Sequence, residues 1–257
     1  MTTHQYTQET NEERLIKDVV VLAGRILLES GAEGSRVEDT MTRIANNLGY
    51  SESQSFVTNT MINFMLHNDT NPRIFRINKR ETNLLRISRT NSVSRDLANG
   101  ENTLKEAYDK LDRILNSRSL QHDLVSKFFA AAIISISFLY LQEGHLIDIF
   151  TTLIAGAVGY IVVELLSRKL QAGFIPEFIG SLIIGLIAIL GHSLFPDGSL
   201  SAIIIASVMP IVPGVLITNA VQDLFAGHML MFTTKSLEAL VTSFGIGAGV
   251  GTVLLIV

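Results

Sequence analysis

The chain has 257 residues, of which 47% are hydrophobic and only 17% charged, against roughly 25% charged in an ordinary soluble domain. Of its 20 Lys and Arg, 16 precede residue 123, as do 16 of its 24 Asp and Glu; the remainder carries four basic and eight acidic residues. This pattern excludes a single water-soluble globule and a nucleic-acid binder, which needs a basic face, and the lack of Cys excludes disulfides, thiolate nucleophiles and Cys-ligated metals.

The first fourteen residues are polar, so no cleavable signal peptide is expected. Beyond them, Leu15, Val19, Leu22 and Ile26 are spaced four, three, four, which places one apolar stripe on a helix. Val37, Met41, Ile44 and Leu48 repeat the spacing, and Ser35 with Glu38 forms a capping-box pattern that would start this second helix. Gly31 and Gly49 stand where each helix needs a left-handed closing residue. Residues 54–89 change character. Phe56 to Leu66 is rich in Phe, Val, Thr and Ile, while Arg73 to Asn78 and Asn83 to Ser88 alternate across the polar turn Lys79-Arg80-Glu81-Thr82. These predict a small antiparallel sheet of three strands on which the helices pack. A third helical stripe follows at Leu104, Tyr108, Leu111 and Leu115.

From Asp123 onward the chain reads as apolar runs of spanning length, about 20 residues for a hydrocarbon core of roughly 30 Å. They are Leu124 to Leu141, Ile147 to Leu166, Phe178 to Leu194, Leu200 to Val221 and Leu237 to Val257. Five spans put the termini on opposite sides. Arg113, Arg118 and Lys127 precede or open the first span, Arg168 and Lys169 follow the second, and Lys235 precedes the fifth. The other two connections carry Glu143, His145, His192 and Asp197 but no Lys or Arg. All basic connections fall on one side, so the positive-inside rule makes the N-terminal half cytoplasmic and the C-terminus extracytoplasmic.

The fourth run carries Met209-Pro210-Ile211-Val212-Pro213-Gly214 in its middle. Each Pro removes a backbone N–H and clashes with the carbonyl four residues earlier, worth about 3 kcal/mol against a continuous helix. In lipid such a break is tolerated only inside protein or along a wet cavity, and broken helices build the solute and ion sites of secondary transporters. A simple proline kink is the alternative. Thr218, Asn219, Gln222 and Asp223 follow, with Asn219 and Asp223 one helical turn apart. Pro210, Pro213, Gly214, Thr218, Asn219 and Asp223 are therefore the candidate solute-binding or coupling residues; an interfacial cap is the other reading of Asp223.

Three further carboxylates are candidate secondary polar positions. Glu164 lies one turn before Arg168, the favourable order for a helix ion pair. Asp148 stands near the outer end of the second span, open to solvation, and Glu177 follows Pro176 where a carboxylate suits a helix N-terminus. Gly245, Gly247, Gly249 and Gly251 give two overlapping small-xxx-small patterns, and Gly156 and Gly159 add small residues to the second span. These suit either close packing inside the bundle or a face for another membrane subunit. No phosphate-binding loop and no metalloprotease motif is present, and the His are isolated from one another, so no catalytic residue, cofactor or metal is expected.

Two stretches carry a family resemblance. Leu27-Leu28-Glu29-Ser30-Gly31-Ala32 with Gly34-Ser35-Arg36-Val37-Glu38 resembles the N-terminal signature of the threonine/serine exporter family. Met209 to Gly214, with Asn219, Asp223-Leu224 and Ala226-Gly227, resembles its proline-containing span and the segment after it. The resemblance implies an inner-membrane exporter of amino acids or dicarboxylates. Such exporters occur as one long chain or as two proteins, and the resemblance implies here the larger subunit of the split form, with a smaller membrane partner.

The expectation is thus a cytoplasmic α+β domain over residues 1–122 and a five-helix membrane domain over 123–257. Together they would form a non-enzymatic, proton-motive-force-driven subunit that exports a small polar solute across the cell membrane, with a partner subunit or a second copy. The rival is a membrane-anchored enzyme or sensor whose N-terminal half carries the activity; it would need a polar pocket with a perturbed acid or base in that half.

Overall fold

The computed structural model describes residues 10–67, 71–78, 80–117, 123–170 and 173–256. The chain is mostly helical and divides into two compact units. The first runs to Ser119 and includes Thr218–Thr234; the second holds Leu120–Ile217 and Lys235–Val257. The division differs from the expected one, whose second domain held every residue after 122: the segment 218–234 packs with the N-terminal part.

In the first unit, helix α1 (Asn11–Glu29) opens with a reciprocal cap. Thr10 Oγ1 accepts the Glu13 N–H, and the Glu13 carboxylate accepts the Thr10 N–H. The helix is buried across a broad face at Ile16, Val19, Val20, Ala23, Ile26 and Leu27, while Leu15 and Leu22 of the expected stripe are half-buried. The face is broad because α1 packs on α2 (Gly34–Asn47), α3 (Leu84–Ala98), α4 (Leu104–Asn116) and the sheet at once. A Cβ on Gly24 would lie 2.5 Å from Met41 Sδ, so this glycine sets how closely α1 and α2 approach. Gly31 and Gly49 have φ of +83° and +92°, the left-handed conformation expected after each helix.

Strands β1 (Gln54–Thr58), β2 (Met61–Met65) and β3 (Arg73–Arg76) form an antiparallel sheet in sequence order. Ile62 and Phe64 of β2 point into the core. The expected strand at Asn83–Ser88 is instead the start of α3. Asn83 caps the helix by accepting the Arg86 N–H, and Ile87, Thr90, Val93, Ser94 and Leu97 bury one face at helical spacing. The expected run from Phe56 to Leu66 is two strands, joined at Asn59 and Thr60. Of the expected turn Lys79–Thr82, Lys79 lies outside the described residues, as does Arg118.

The Ser35/Glu38 capping box does not form. Helix α2 begins two residues earlier than a Ser35 cap requires, after Glu33, which makes no side-chain cap. Glu38 Oε1 instead accepts the Val57 N–H of β1 at 2.8 Å. The first N–H of α2, that of Gly34, is taken by Asp223.

In the second unit, α5 (Leu124–Leu141), α6 (Ile149–Lys169, entered through a 3-10 turn at Leu146–Asp148) and α7 (Ile175–Leu194) are each long and apolar enough to cross a membrane, as is α10 (Met229–Ile256), whose start belongs to the first unit. Among the described residues four uninterrupted helices of this kind are present, and five spans if the bent pair that follows is counted as one. The expected fourth span is broken into α8 (Leu200–Val208), a 3-10 turn at Met209–Ile211, and α9 (Gly214–Phe225), with a bend of 66°. Leu200–Ile211 rises only roughly 18 Å as a helix, short of a hydrocarbon core.

Small residues set the packing of this unit. A Cβ on Gly159 would meet Ile184 of α7 at 2.3 Å, and one on Gly180 would meet Val163 of α6 at 2.3 Å. A Cβ on Gly156 would lie 1.9 Å from Ser135 Oγ and 3.3 Å from the Ser207 carbonyl, so α5, α6 and α8 converge there. Backbones that approach this closely gain dispersion contacts that lipid tails cannot match.

Candidate functional site

The break is built as the prolines dictate. Pro210 lies in the 3-10 turn, whose closing bond runs from the Val212 N–H to the Met209 carbonyl at 3.3 Å. The chain then turns at Val212 and Pro213, and α9 starts at Gly214, where an added Cβ would meet nothing within 4 Å among the described residues. Just before the turn, Ser207 Oγ donates to the Thr152 carbonyl of α6, which ties the end of α8 to its neighbour.

Beside the break lies a cavity of about 470 Å³, within the range of small-molecule sites. It is lined by Ser126, Lys127, Ala130, Ala131 and Ile134 of α5, by Tyr160 of α6 and by Pro210. The α5 residues recur at helical spacing, so one face of that helix forms the wall. Most of the lining is apolar, and Lys127, Ser126 and Tyr160 supply its polar groups.

At the cavity's charged end, Lys127 Nζ donates to Glu164 Oε1 at 2.6 Å. Arg168 Nε and Nη2 donate to the same oxygen at 3.0 and 2.8 Å. The expected pair of Glu164 with Arg168 is thus present, and Lys127 extends it into a triad between two apolar helices. Tyr160 stands one turn before Glu164 on the same face of α6.

Asp148 and Glu177 lie elsewhere in this unit. Asp148 is buried, not solvated: Oδ2 accepts the Ser199 N–H at 3.0 Å and the His145 N–H at 3.3 Å. It pins two connections together. Glu177 sits in the first turn of α7 after Pro176, and its Oε2 is buried with no hydrogen-bond partner among the described residues.

The remaining candidates belong to the first unit. Asp223 is fully buried, and its Oδ1 accepts the Gly34 N–H at 2.9 Å. Asn219 Nδ2 donates to the Gly31 carbonyl at 2.8 Å. Both bonds fall on the junction between α1 and α2, whose glycines also leave room: a Cβ on Gly34 would lie 2.3 Å from Met231 Sδ. Met231 is part of this unit's core. His228 stands 3.7 Å from Glu38, and Asn59 hydrogen-bonds Thr234. Burial is the main influence on Glu38; it raises the carboxyl above the ordinary range against the lowering effects of the Val57 N–H and His228. Thr218 is exposed. The six candidates around the break therefore divide: Pro210, Pro213 and Gly214 fall in the second unit, and Thr218, Asn219 and Asp223 in the first.

The ThrE family model, described as "Putative threonine/serine exporter", matches residues 18–257. The chain belongs to the threonine/serine exporter family. No curated protein and no solved structure matches it. The family is one of transporters, which removes the enzyme reading of the N-terminal half, and its apolar helices make this member a multi-pass membrane protein.

Within this exporter, sequence reasoning missed Ser126, Lys127 and Tyr160 as lining groups. Lys127 stood out only as a charge at the edge of the first span. Its partner Glu164 is 37 residues away, so no local spacing announces the pair.

Proposed function

We propose that this chain is a subunit of a secondary exporter that moves small polar metabolites, threonine- or serine-type amino acids or dicarboxylates, out of the cell across the plasma or inner membrane. The cavity beside the proline break carries the reading: a partly polar pocket among spanning helices, next to backbone that cannot continue a helix. Rearrangement at Pro210, Pro213 and Gly214 opens the solute's path to one side and then the other. Thr218, Asn219 and Asp223, just beyond the break, respond to solute or proton, and a proton on Asp223 weakens its hold on the Gly34 N–H. The chain has no nucleotide-binding motif, which favours the proton-motive force as the source of work.

The N-terminal half is cytoplasmic and the C-terminus extracytoplasmic in this reading, supported by Lys127 in the first turn of α5, Arg168 and Lys169 in the last turn of α6 and Lys235 towards the start of α10. A smaller membrane subunit or a second copy completes the transporter. The glycines of α10 support a contact of this kind. Gly245 and Gly249 pack inward on α7 and the residue before it, whereas Gly247 and Gly251 have nothing within 4 Å of an added Cβ among the described residues.

The test is efflux from vesicles holding the chain with and without a small membrane subunit, screened over amino acids and dicarboxylates under an imposed pH gradient. Gradient-dependent movement of one class is expected. Movement of neither class with any partner sinks the proposal.

A further inference from the structure

We propose that the groove between α3 and α4 is a docking site for the phosphate of an anionic phospholipid headgroup, recognised by Arg89, Lys110 and Arg113 together with the Ser88 and Ser92 hydroxyls. The inference goes beyond the exporter reading and needs only that the chain spans a membrane.

The two helices run in opposite directions. Arg86, in the first turn of α3, donates to the Leu115 and Ser117 carbonyls at the end of α4, at 3.3 and 2.7 Å. Ser88, Arg89 and Ser92 share one face of α3, as Lys110 and Arg113 share one face of α4. These side chains line an open groove of about 280 Å³, floored by Val93 and Ile114, and no carboxylate lines it among the described residues. Lys110 Nζ donates to Asn102 Oδ1 at 2.6 Å and Arg113 Nε to the Asp109 carbonyl at 3.2 Å, neutral acceptors that leave both charges in place. Arg89 is exposed and has neither a hydrogen bond nor an ion pair among the described residues. Elsewhere in this unit arginines face carboxylates: Arg25 meets Glu29, Arg36 Glu33, Arg43 Asp39 and Arg73 Asp18. On α4 itself, Glu106 is held by Thr103 and Asp112 by Asn116. The groove thus gathers three cations with no paired counter-charge.

Like charges gathered in this way repel, and an anion between them relieves the repulsion. A phosphate matches the donors: guanidinium groups bind its oxygens in a fork, the ammonium adds a point charge, and serine hydroxyls donate as well. The volume lies at the bottom of the roughly 300–1,000 Å³ range of sites that engulf a small molecule, so the groove suits a headgroup whose acyl chains stay in the bilayer. Water screens a free anion in an open groove. A bilayer instead presents headgroups at high local concentration, where each Lys or Arg strengthens binding about fivefold. The chain brings that bilayer close. Ser117, tied to Arg86, lies six residues before Asp123, which opens α5. That tether reaches at most roughly 22 Å, and α5 is long and apolar enough to cross a membrane.

The experiment uses the full chain with Asn116→Cys as its single thiol, carrying an environment-sensitive fluorophore, in neutral micelles. It is titrated with dioctanoyl phosphatidylglycerol, dioctanoyl phosphatidylcholine and inorganic phosphate. Phosphatidylglycerol is expected to saturate the signal at a concentration at least tenfold below the other two, and to bind more weakly in about 0.5 M salt. Arg89→Gln and Arg113→Gln, both at exposed positions that leave the fold intact, should each weaken it about fivefold. Arg43→Gln on α2 should stay within twofold of the parent. Equal half-saturation by the two lipids overturns the proposal, as does unchanged affinity in both groove variants. An equal loss in Arg43→Gln overturns it too, since that marks general charge attraction. Inorganic phosphate binding as tightly as phosphatidylglycerol assigns the groove to a soluble anion and removes the lipid. No saturable response, by the fluorophore or by native mass spectrometry of the same chain, also overturns the site. Each of these results leaves the exporter reading standing.

Discussion

Asp223 Oδ1 accepts the backbone N–H of Gly34 at 2.9 Å, closing a contact between residues 189 apart in the chain. Gly34 is the first residue of α2, so a carboxylate from a distant segment occupies the place of a local N-terminal cap. The site favours it twice: an orphan N–H receives an acceptor, and the positive end of the helix dipole receives a negative charge. Asn219 holds the preceding turn through the Gly31 carbonyl, so the junction is gripped on both sides.

Asp223→Asn keeps an acceptor for Gly34, and Asn caps helices about as well as Asp. Its thermal stability should be close to that of the parent. Asp223→Ala should lose about 1 kcal/mol, the usual value of a cap, read as a fall in unfolding temperature. If Asp223 also carries the coupling proton, the Asn variant reaches the membrane folded yet loses concentrative efflux. Normal pH-dependent efflux by that variant makes Asp223 a cap alone.

Glu38 is an acid whose folded pKa is raised, chiefly by burial. Its ionisation therefore costs more in the folded state than in the unfolded one. The associated stability is fully present below the unfolded value of about 4.5 and is lost as the pH rises through the higher folded value. Glu38→Gln, which can still accept the Val57 N–H, should match or exceed the parent in stability at pH 7. The difference should shrink when unfolding is repeated at pH 4. A Gln variant markedly less stable at pH 7 would show that the His228 contact outweighs burial.

The two glycine faces of α10 make opposite forecasts. A Cβ on Gly249 would lie 2.1 Å from Ser181 Oγ and 2.3 Å from the Phe178 carbonyl, so Gly249→Ala should destabilise the helical bundle by about 1–3 kcal/mol, as overpacking does. Gly247→Leu meets open space and should leave thermal stability unchanged. If this face contacts another subunit, Gly247→Leu abolishes co-purification while the chain stays folded. Intact association and activity in Gly247→Leu remove that face from the assembly.

Replacing both Pro210 and Pro213 with Ala restores the missing N–H groups and removes the ring clashes. The variant should straighten the turn and slow efflux. Since the chain lacks Cys, spin labels can be placed at Ser201→Cys and Ile217→Cys alone. Their backbone separation should lengthen towards the ~24 Å of a continuous helix. An unchanged distance means that the surrounding helices, not the prolines, impose the bend.

Features set by short-range chemistry are legible in the amino-acid sequence. The prolines announce the break, Gly31 and Gly49 mark the turns, and Glu164 with Arg168 announces its ion pair. Asn83–Ser88 misleads because six residues that alternate fit a strand as well as the first turns of a helix. Ser35 and Glu38 mislead because the pattern of a capping box does not reveal that a distant carboxylate takes the N–H first. The four glycines of α10 look alike in sequence; only their neighbours distinguish the packed pair from the open pair. The Lys127–Glu164 contact and the docking of residues 218–234 are hidden for one reason. Pairing across long stretches of chain leaves no periodicity to read.

The position of Met231 in the N-terminal core has a practical corollary for dissecting the protein. A fragment cut before α5 would keep α1 to α4 and the sheet, yet it would carry a hole where Met231 belongs and an uncapped first turn on α2. Its hydrophobic interior would be open to water at the junction beside Gly34, where sticky surface invites self-association. A tractable excision of this part has to be a spliced one, with the stretch from Thr218 to Thr234 joined back by a linker.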